Sequence, residues 1–343
     1  MPPLAWAALA AILTSTAATF AAVKSGPVAP PTDRGLHATP TPSGGGIAII
    51  LGTGFGAALV AMDGRLTGGP GLAAALACAV IMGLVGAADD LFDLGARLKL
   101  VIQAVLAIGF SALFAHVEQL SVPHAALSLG PVLGVLGSAL WIIVAVNAVN
   151  FVDGANGLSP GAMVIAFAAL ALACRLGGAT GIGEVALVAA AAGLGFLPWN
   201  LPGGRIFQGD SGALFSGTLF AGLALLAAGK GGDDHVSVWF GPTVLLPFLT
   251  DVFLTLISRA RRRQPLLQAH RDHLFQRWLV SSGASHGRLS VLMWLMIAAG
   301  AALGLAMGLT PVPARVWLFA GWLGVCLHGW WWIDSSVRER AGG

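Results

Sequence analysis

The sequence has no tyrosine, only three cysteines and very little charge. Asp, Glu, Lys and Arg make up 10% of its 343 residues, where a soluble globular chain carries about 25%. So few charges cannot clothe a surface in water, so most of this chain must face lipid. Cys78, Cys174 and Cys326 stand singly in apolar runs. That excludes a disulfide framework and a cysteine zinc site, and all three read as small buried hydrophobes. The net charge of +3 comes with no basic stripe, so no nucleic acid is expected as a partner.

What is present is hydrophobic: 57% of the residues, with a mean hydropathy of +0.84. A bilayer helix needs about 20 mostly apolar residues. Apolar runs of that kind fall at 4–23, 46–62, 72–88, 100–116, 131–150, 160–176, 184–199, 211–229, 238–258, 287–307 and 315–333. The expected fold class is therefore all-α: a polytopic transmembrane bundle of about 11 helices (10 if a short Gly-rich run drops out), built as one domain over residues 1–343. The first run has no basic segment before it and no cleavage site, so it reads as a membrane helix rather than a signal peptide. The 48 glycines suit close helix packing, and several of the 11 tryptophans fall near span ends, as in an interfacial belt.

Basic residues set the expected orientation. Lys24, Arg34, Arg97, Lys99, Arg205, Arg271, Arg277, Arg288, Arg338, Arg340 and the run Arg259, Arg261, Arg262, Arg263 share one side; Arg65, Arg175, Lys230 and Arg315 share the other. The first side is expected to be cytoplasmic, with the N-terminus outside and the C-terminus inside. Nearly all polar clusters also fall on that first side. Polar groups gathered on one face of a lipid-embedded bundle are costly unless they serve a site.

Five clusters stand out in chain order. Pro40-Thr41-Pro42-Ser43-Gly44-Gly45-Gly46 offers a rigid turn and then bare backbone, which either serves as a plain turn or lets Gly45 approach a phosphate. Asp89-Asp90 is a repelling pair that suits a divalent cation or marks the membrane boundary, with Lys99 and Gln103 one helical turn apart beyond it. Asn147, Asn150, Asp153 and Asn156 place amides and a carboxylate at a helix end, where they can read a base or ribose. Asn200, Phe207, Gly209, Asp210 and Ser211 form a turn in which Asp210 either caps the next helix or faces a metal. His270, Arg271 and His273 follow the arginine run and can meet a pyrophosphate. Asp251, inside an apolar run, either serves a site or pairs with a neighbouring helix.

Taken in this order, the clusters resemble the polyprenyl-phosphate N-acetylhexosamine-1-phosphate transferases, whose fold is shared by the phospho-N-acetylmuramoyl-pentapeptide transferases. The match runs from about Arg34 to Arg277. The resemblance implies transfer of a sugar 1-phosphate from a UDP-sugar to polyprenyl phosphate at a bacterial inner membrane, with release of UMP and initiation of a surface or cell-wall polysaccharide. It implies magnesium, with manganese as a substitute, held by Asp210 with Asp89 or Asp90. It gives Asp89, Asp90, Asp153, His270 and His273 catalytic roles. Lys99, Asn147, Asn150, Asn156, Asn200, Phe207, Gly45 and Arg271 become substrate contacts, with Asn156, Asn200 and Phe207 lining a uracil pocket. Membrane lipids and a second copy of the chain are the other expected partners. Two departures stand out: Ser43 replaces a frequent basic residue or Met, and His270-Arg271-Asp272-His273 is not a run of consecutive histidines. A membrane transporter is the reading from a different class. It would explain the many helices and Asp251, but it requires polar groups near the midplane and an inverted repeat; the sequence shows no such repeat, and its polar residues crowd one face.

Overall fold

The structure is a computed structural model that describes residues 3–26, 28–29, 40–123, 125–266, 268 and 270–342. Arg34 and His37 of the first inner loop lie outside the described residues. Twelve helices follow one another: α1 (Pro3–Ser25), α2 (Gly45–Met62), α3 (Gly69–Phe92), α4 (Ala96–Leu113), α5 (Gly130–Val152), α6 (Leu158–Gly177), α7 (Thr180–Asn200), α8 (Gly209–Ala228), α9 (Phe240–Arg261), α10 (Leu274–Ser282), α11 (His286–Met307) and α12 (Val312–Gly342). All but α10 are long and apolar enough to cross a bilayer, and these eleven correspond one to one with the runs expected from sequence.

The differences lie at helix ends. α4 begins at Ala96 rather than 100, because Arg97 and Lys99 continue its first turn; long basic side chains can lie along a helix and keep their heads at the interface. α12 extends well past 333, where Asp334 pairs with Arg338 at 2.6 Å and with Arg277 of α10 at 2.6 Å. α10 itself is not visible as an apolar run. It is a short helix whose first amide, Leu274 N, donates to Asp251 Oδ1 at 2.8 Å. It stops at Gly283, whose φ of 63° few other residues tolerate. The loop between α4 and α5 contains an antiparallel hairpin of β3 (Gln119–Val122) and β4 (Ala125–Ser128). A smaller pairing of β1 (Val28–Ala29) and β2 (Thr41–Pro42) lies between α1 and α2.

α8 is the core of the bundle. Its most apolar stretch is 94% buried, against 11% for α12 at the periphery. It packs most extensively on α3, then on α5 and α2. Small residues permit that approach: a Cβ at Gly46 would run into the Gly212 backbone, and one at Gly86 into the backbone of Asp210. α2 and α3 therefore press directly on the first turn of α8. The segments following α1, α3, α5, α7 and α9 meet at this end, which is where the sequence clusters lie.

Candidate active site

The site starts from the unsatisfied N–H groups at the head of α8. Asp90, in the last turn of α3, supplies the acceptors. Asp210 N donates to its Oδ1 at 3.0 Å and Ser211 N to its Oδ2 at 3.3 Å. Of the two sequence readings of Asp210, capping of its own helix is not the one seen: the cap comes from another helix, and Ser211 Oγ donates back to Gln208 O at 3.0 Å. Gly209 makes room for it. With φ at 69°, any Cβ there would run into the Asp90 carboxylate.

With Asp90 capping α8, the Asp210 side chain faces outward from the helix. Its Oδ1 accepts from Asn150 Nδ2 at 2.9 Å and its Oδ2 from Lys99 Nζ at 2.7 Å. The same ammonium donates to Asp89 Oδ2 at 2.6 Å, and Asp89 Oδ1 accepts from Leu94 N at 2.9 Å. Four helices thus deliver Asp89, Asp90, Lys99, Asn150 and Asp210 to one place.

Asp153 sits beside them in the α5–α6 turn. Its carboxyl hydrogen-bonds the Gln208 side chain and feels the charges of Asp210 and Asp90. One edge stays partly exposed, but the group is crowded by protein. That desolvation, reinforced by the two neighbouring carboxylates, pushes it well above the usual carboxylate range.

The carboxylates are hard oxygen donors of the kind magnesium prefers. Asp89, Asp90, Asp153 and Asp210 gather here, and the Lys99 ammonium pairs with two of them, Asp89 and Asp210, so the donor set fits a divalent cation. It is not a preformed cage: among the described residues no three His, Cys, Asp or Glu side chains are arranged to hold an ion. Of the expected ligands, Asp89 and Asp210 share the Lys99 ammonium and Asp90 caps a helix.

Several amides expected to touch substrate are engaged within the protein. Asn147 Nδ2 donates to Gln103 Oε1 at 2.6 Å and Ile143 O at 2.7 Å. Asn200 accepts from Gly157 N through Oδ1 and donates to Ile206 O at 2.8 Å. It ties the α7–α8 loop to the α5–α6 turn. Gly45 N donates to Phe207 O at 2.9 Å, so it offers no free N–H to a phosphate. Its bareness serves packing, since a Cβ would strike Phe196 and Phe207 O. All three groups expected at the substrate are thus tied within the protein. Asn156 is different. It is buried, and its Oδ1 has no partner. Gln208 Oε1 and Gln276 Oε1, close to the same turn, are also buried without a partner. Phe207 is half-buried in the adjoining loop.

His270 and His273 do not share a helix face, because α10 begins after them. They stack instead, with ring centroids 4.9 Å apart. His273 is buried between Phe151 and Phe275, and its Nδ1 lies 3.2 Å from Asp251 Oδ2. Asp251 also accepts from Trp330 Nε1 at 3.3 Å. It therefore ties the histidine loop and α10 to α9 and α12. Burial, with His273 and Arg259 beside it, lowers His270 to about 4. Arg259 is bound to Asp272 and to Pro265 O, while Arg271 is exposed.

Sequence reasoning missed the contribution of α11. His286, Ser290 and Trp294 all bind the 156–158 backbone. Their spacing of four residues was the available signal.

Residues 72–228 match the family model described as Glycosyl transferase family 4. The chain is 32% identical over 280 residues to the probable undecaprenyl-phosphate N-acetylglucosaminyl 1-phosphate transferase of Bacillus subtilis (strain 168), covering 80% of this chain and 75% of that one. It is 31% identical over 302 residues to the decaprenyl-phosphate N-acetylglucosaminephosphotransferase of Mycobacterium tuberculosis (strain ATCC 25618 / H37Rv), covering 80% and 74%. It is also 30% identical over 325 residues to the phospho-N-acetylmuramoyl-pentapeptide-transferase of Mycobacterium avium (strain 104), covering 81% and 86%.

Proposed function

This chain belongs to glycosyl transferase family 4, and we propose that it transfers an N-acetylhexosamine 1-phosphate from a UDP-sugar to polyprenyl phosphate, releasing UMP. The observation that carries the reading is the meeting of Asp89, Asp90, Lys99, Asn150 and Asp210 at one end of a membrane bundle through direct hydrogen bonds.

In this reaction an oxygen of the lipid phosphate bonds to the β-phosphorus of the donor. The bond from that phosphorus to the bridging oxygen breaks, and UMP leaves with the electron pair. Two anions must approach, so neutralising charge matters more than removing a proton. A phosphate monoester has its second pKa near about 6 and is largely ionised at neutral pH. Magnesium, or manganese in its place, would be held by Asp210 with Asp89 or Asp90 and would neutralise charge on the diphosphate. Lys99 supplies a fixed positive charge at the same point, and Asn150 keeps Asp210 aimed. Asp153 is kept protonated more readily than an ordinary carboxyl, so it can donate a hydrogen bond to a phosphate or ribose oxygen. Asn156 Oδ1, buried and unpartnered, is the acceptor a uracil N–H requires. Neutral His270 and the exposed Arg271 border the site from the α9–α10 segment.

In this reading the site end faces the cytoplasm of a bacterial inner membrane, with the N-terminus outside; the bias of Lys and Arg towards that side supports it. The product would begin a surface or cell-wall polysaccharide. In the alternative, the donor carries a muramoyl-pentapeptide. The test is UMP release by purified protein in detergent. It should require the UDP-sugar, polyprenyl phosphate and magnesium together. Release of UMP without the lipid, or none with all three present, would overturn the reading.

A further inference from the structure

The α5–α6 turn is fixed with unusual completeness. Asn156 N donates to His286 Nδ1 at 3.2 Å, and Asn156 O accepts from Ser290 Oγ at 2.7 Å. Gly157 N donates to Asn200 Oδ1. Gly157 O accepts from Trp294 Nε1 at 2.9 Å, and the same indole reaches Leu158 O at 3.3 Å. Every backbone polar atom of Asn156 and Gly157 is therefore held by a side chain. Three of the holders, His286, Ser290 and Trp294, form one stripe of α11 at intervals of four residues, the spacing that lines one helical face. Trp294 is packed closely in turn, because its indole approaches Gly161 with no space for a Cβ.

A turn needs no such clamp merely to join two helices. Within the clamped pair, what is left is the side-chain oxygen Asn156 Oδ1, buried without a partner. An unpaired buried acceptor costs stability unless a ligand pairs it. A frame that commits the backbone on both sides and leaves that oxygen unpaired is organised in advance for a donor group.

We propose that His286, Ser290 and Trp294 are positioning residues for the nucleotide: they hold the 153–157 turn so that Asn156 meets the N–H of the base. None of them touches substrate; each acts through the turn backbone. The inference rests on the UDP-sugar reading above, and it separates the donor from the lipid. α11 should tune nucleotide affinity and leave polyprenyl phosphate alone.

The test uses the full chain in detergent. UMP binding is measured by calorimetry, and KM is measured for the UDP-sugar and for polyprenyl phosphate. Ser290→Ala, His286→Leu and Trp294→Phe should each weaken UMP binding and raise the UDP-sugar KM by about tenfold, as expected for one net hydrogen bond. The KM for polyprenyl phosphate should stay within about twofold. His286→Asn keeps an acceptor at the Nδ1 position for Asn156 N and should stay near wild type. If an aromatic variant fails to purify, Ser290→Ala compared with His286→Asn carries the test. Unchanged UMP affinity in all three variants would overturn the inference, and so would an equal rise in both KM values. Wild-type protein that binds no UMP at all would instead remove the donor reading.

Discussion

Lys99 is the most informative single residue to change, because among the described residues it is the one cation paired with carboxylates of two different helices. Lys99→Met keeps the length of the side chain and removes the ammonium. Asp89 Oδ2 and Asp210 Oδ2 then lose partners at 2.6 and 2.7 Å and face each other. One such attraction is worth about 4 kcal/mol at 4 Å and an effective dielectric of about 20, before desolvation of the ammonium is subtracted. Removing one member of a buried ion pair costs about 3–5 kcal/mol, and an exposed pair is worth about 0–1 kcal/mol. The side chains here are 14–27% exposed, so about 2–3 kcal/mol is the reasonable middle. If that energy holds the carboxylates in their reacting arrangement, turnover falls roughly 30- to 150-fold. The same change makes the cluster one charge more negative. Half-saturating magnesium should therefore fall rather than rise. UMP release measured across a magnesium titration reads both effects. Turnover within about threefold of wild type, or a raised magnesium requirement, would refute the electrostatic account of Lys99.

The other predictions address the cap, the protonated carboxyl and the topology. Gly209→Ala places a methyl against Asp90 at a φ of 69°; it should displace the α8 cap, lower the melting temperature and remove most UMP release, whereas an unchanged melting temperature would mean that Asp90 does not cap the helix in solution. Folded protein holds a proton on Asp153 at pH values where the unfolded chain, titrating near about 3.9, has lost it. Stability therefore declines as pH rises from there towards the folded-state value. Asp153→Asn should remove that decline and raise the melting temperature at neutral pH while turnover is lost; a variant with the wild-type slope would contradict the raised carboxyl. In a cysteine-free background, cysteines at the exposed positions Gln268 and Gly203 should resist an impermeant thiol reagent in intact spheroplasts, and those at Asp63 and Thr180 should label; labelling of Gln268 from outside would invert the orientation and deprive the site of a cytoplasmic donor.

Much of the site was legible because its chemistry is concentrated in residue types that lipid excludes. Asp89, Asp90, Asp153 and Asp210 stand out in a chain this apolar, and their shared membrane face follows from counting spans. Their division of labour was not legible. Asp90 caps α8 and Asp210 does not cap its own helix, because Gly86 and Gly209 let α3 approach the α8 head closely. That approach is a contact between residues 120 positions apart. Asn147 and Asn200 looked like ligands because buried asparagines need partners. The partners turned out to be Gln103, Gly157 and Ile206, which are distant in sequence or belong to backbone.

The sequence by itself determined the class of molecule. Eleven apolar runs, few charges and a lopsided distribution of Lys and Arg require a multi-span helical bundle with its polar chemistry on one face, since hydropathy and helix length are local properties. Only the tertiary structure decided which polar groups are occupied and which are free. It placed Lys99 between Asp89 and Asp210, tied His273 to Asp251, and used α11 to fix a turn more than a hundred residues earlier while leaving Asn156 Oδ1 unpaired. The reason is that hydrogen-bond satisfaction depends on which helices are neighbours, and helix neighbours are chosen by small-residue packing along whole faces, which no local pattern records.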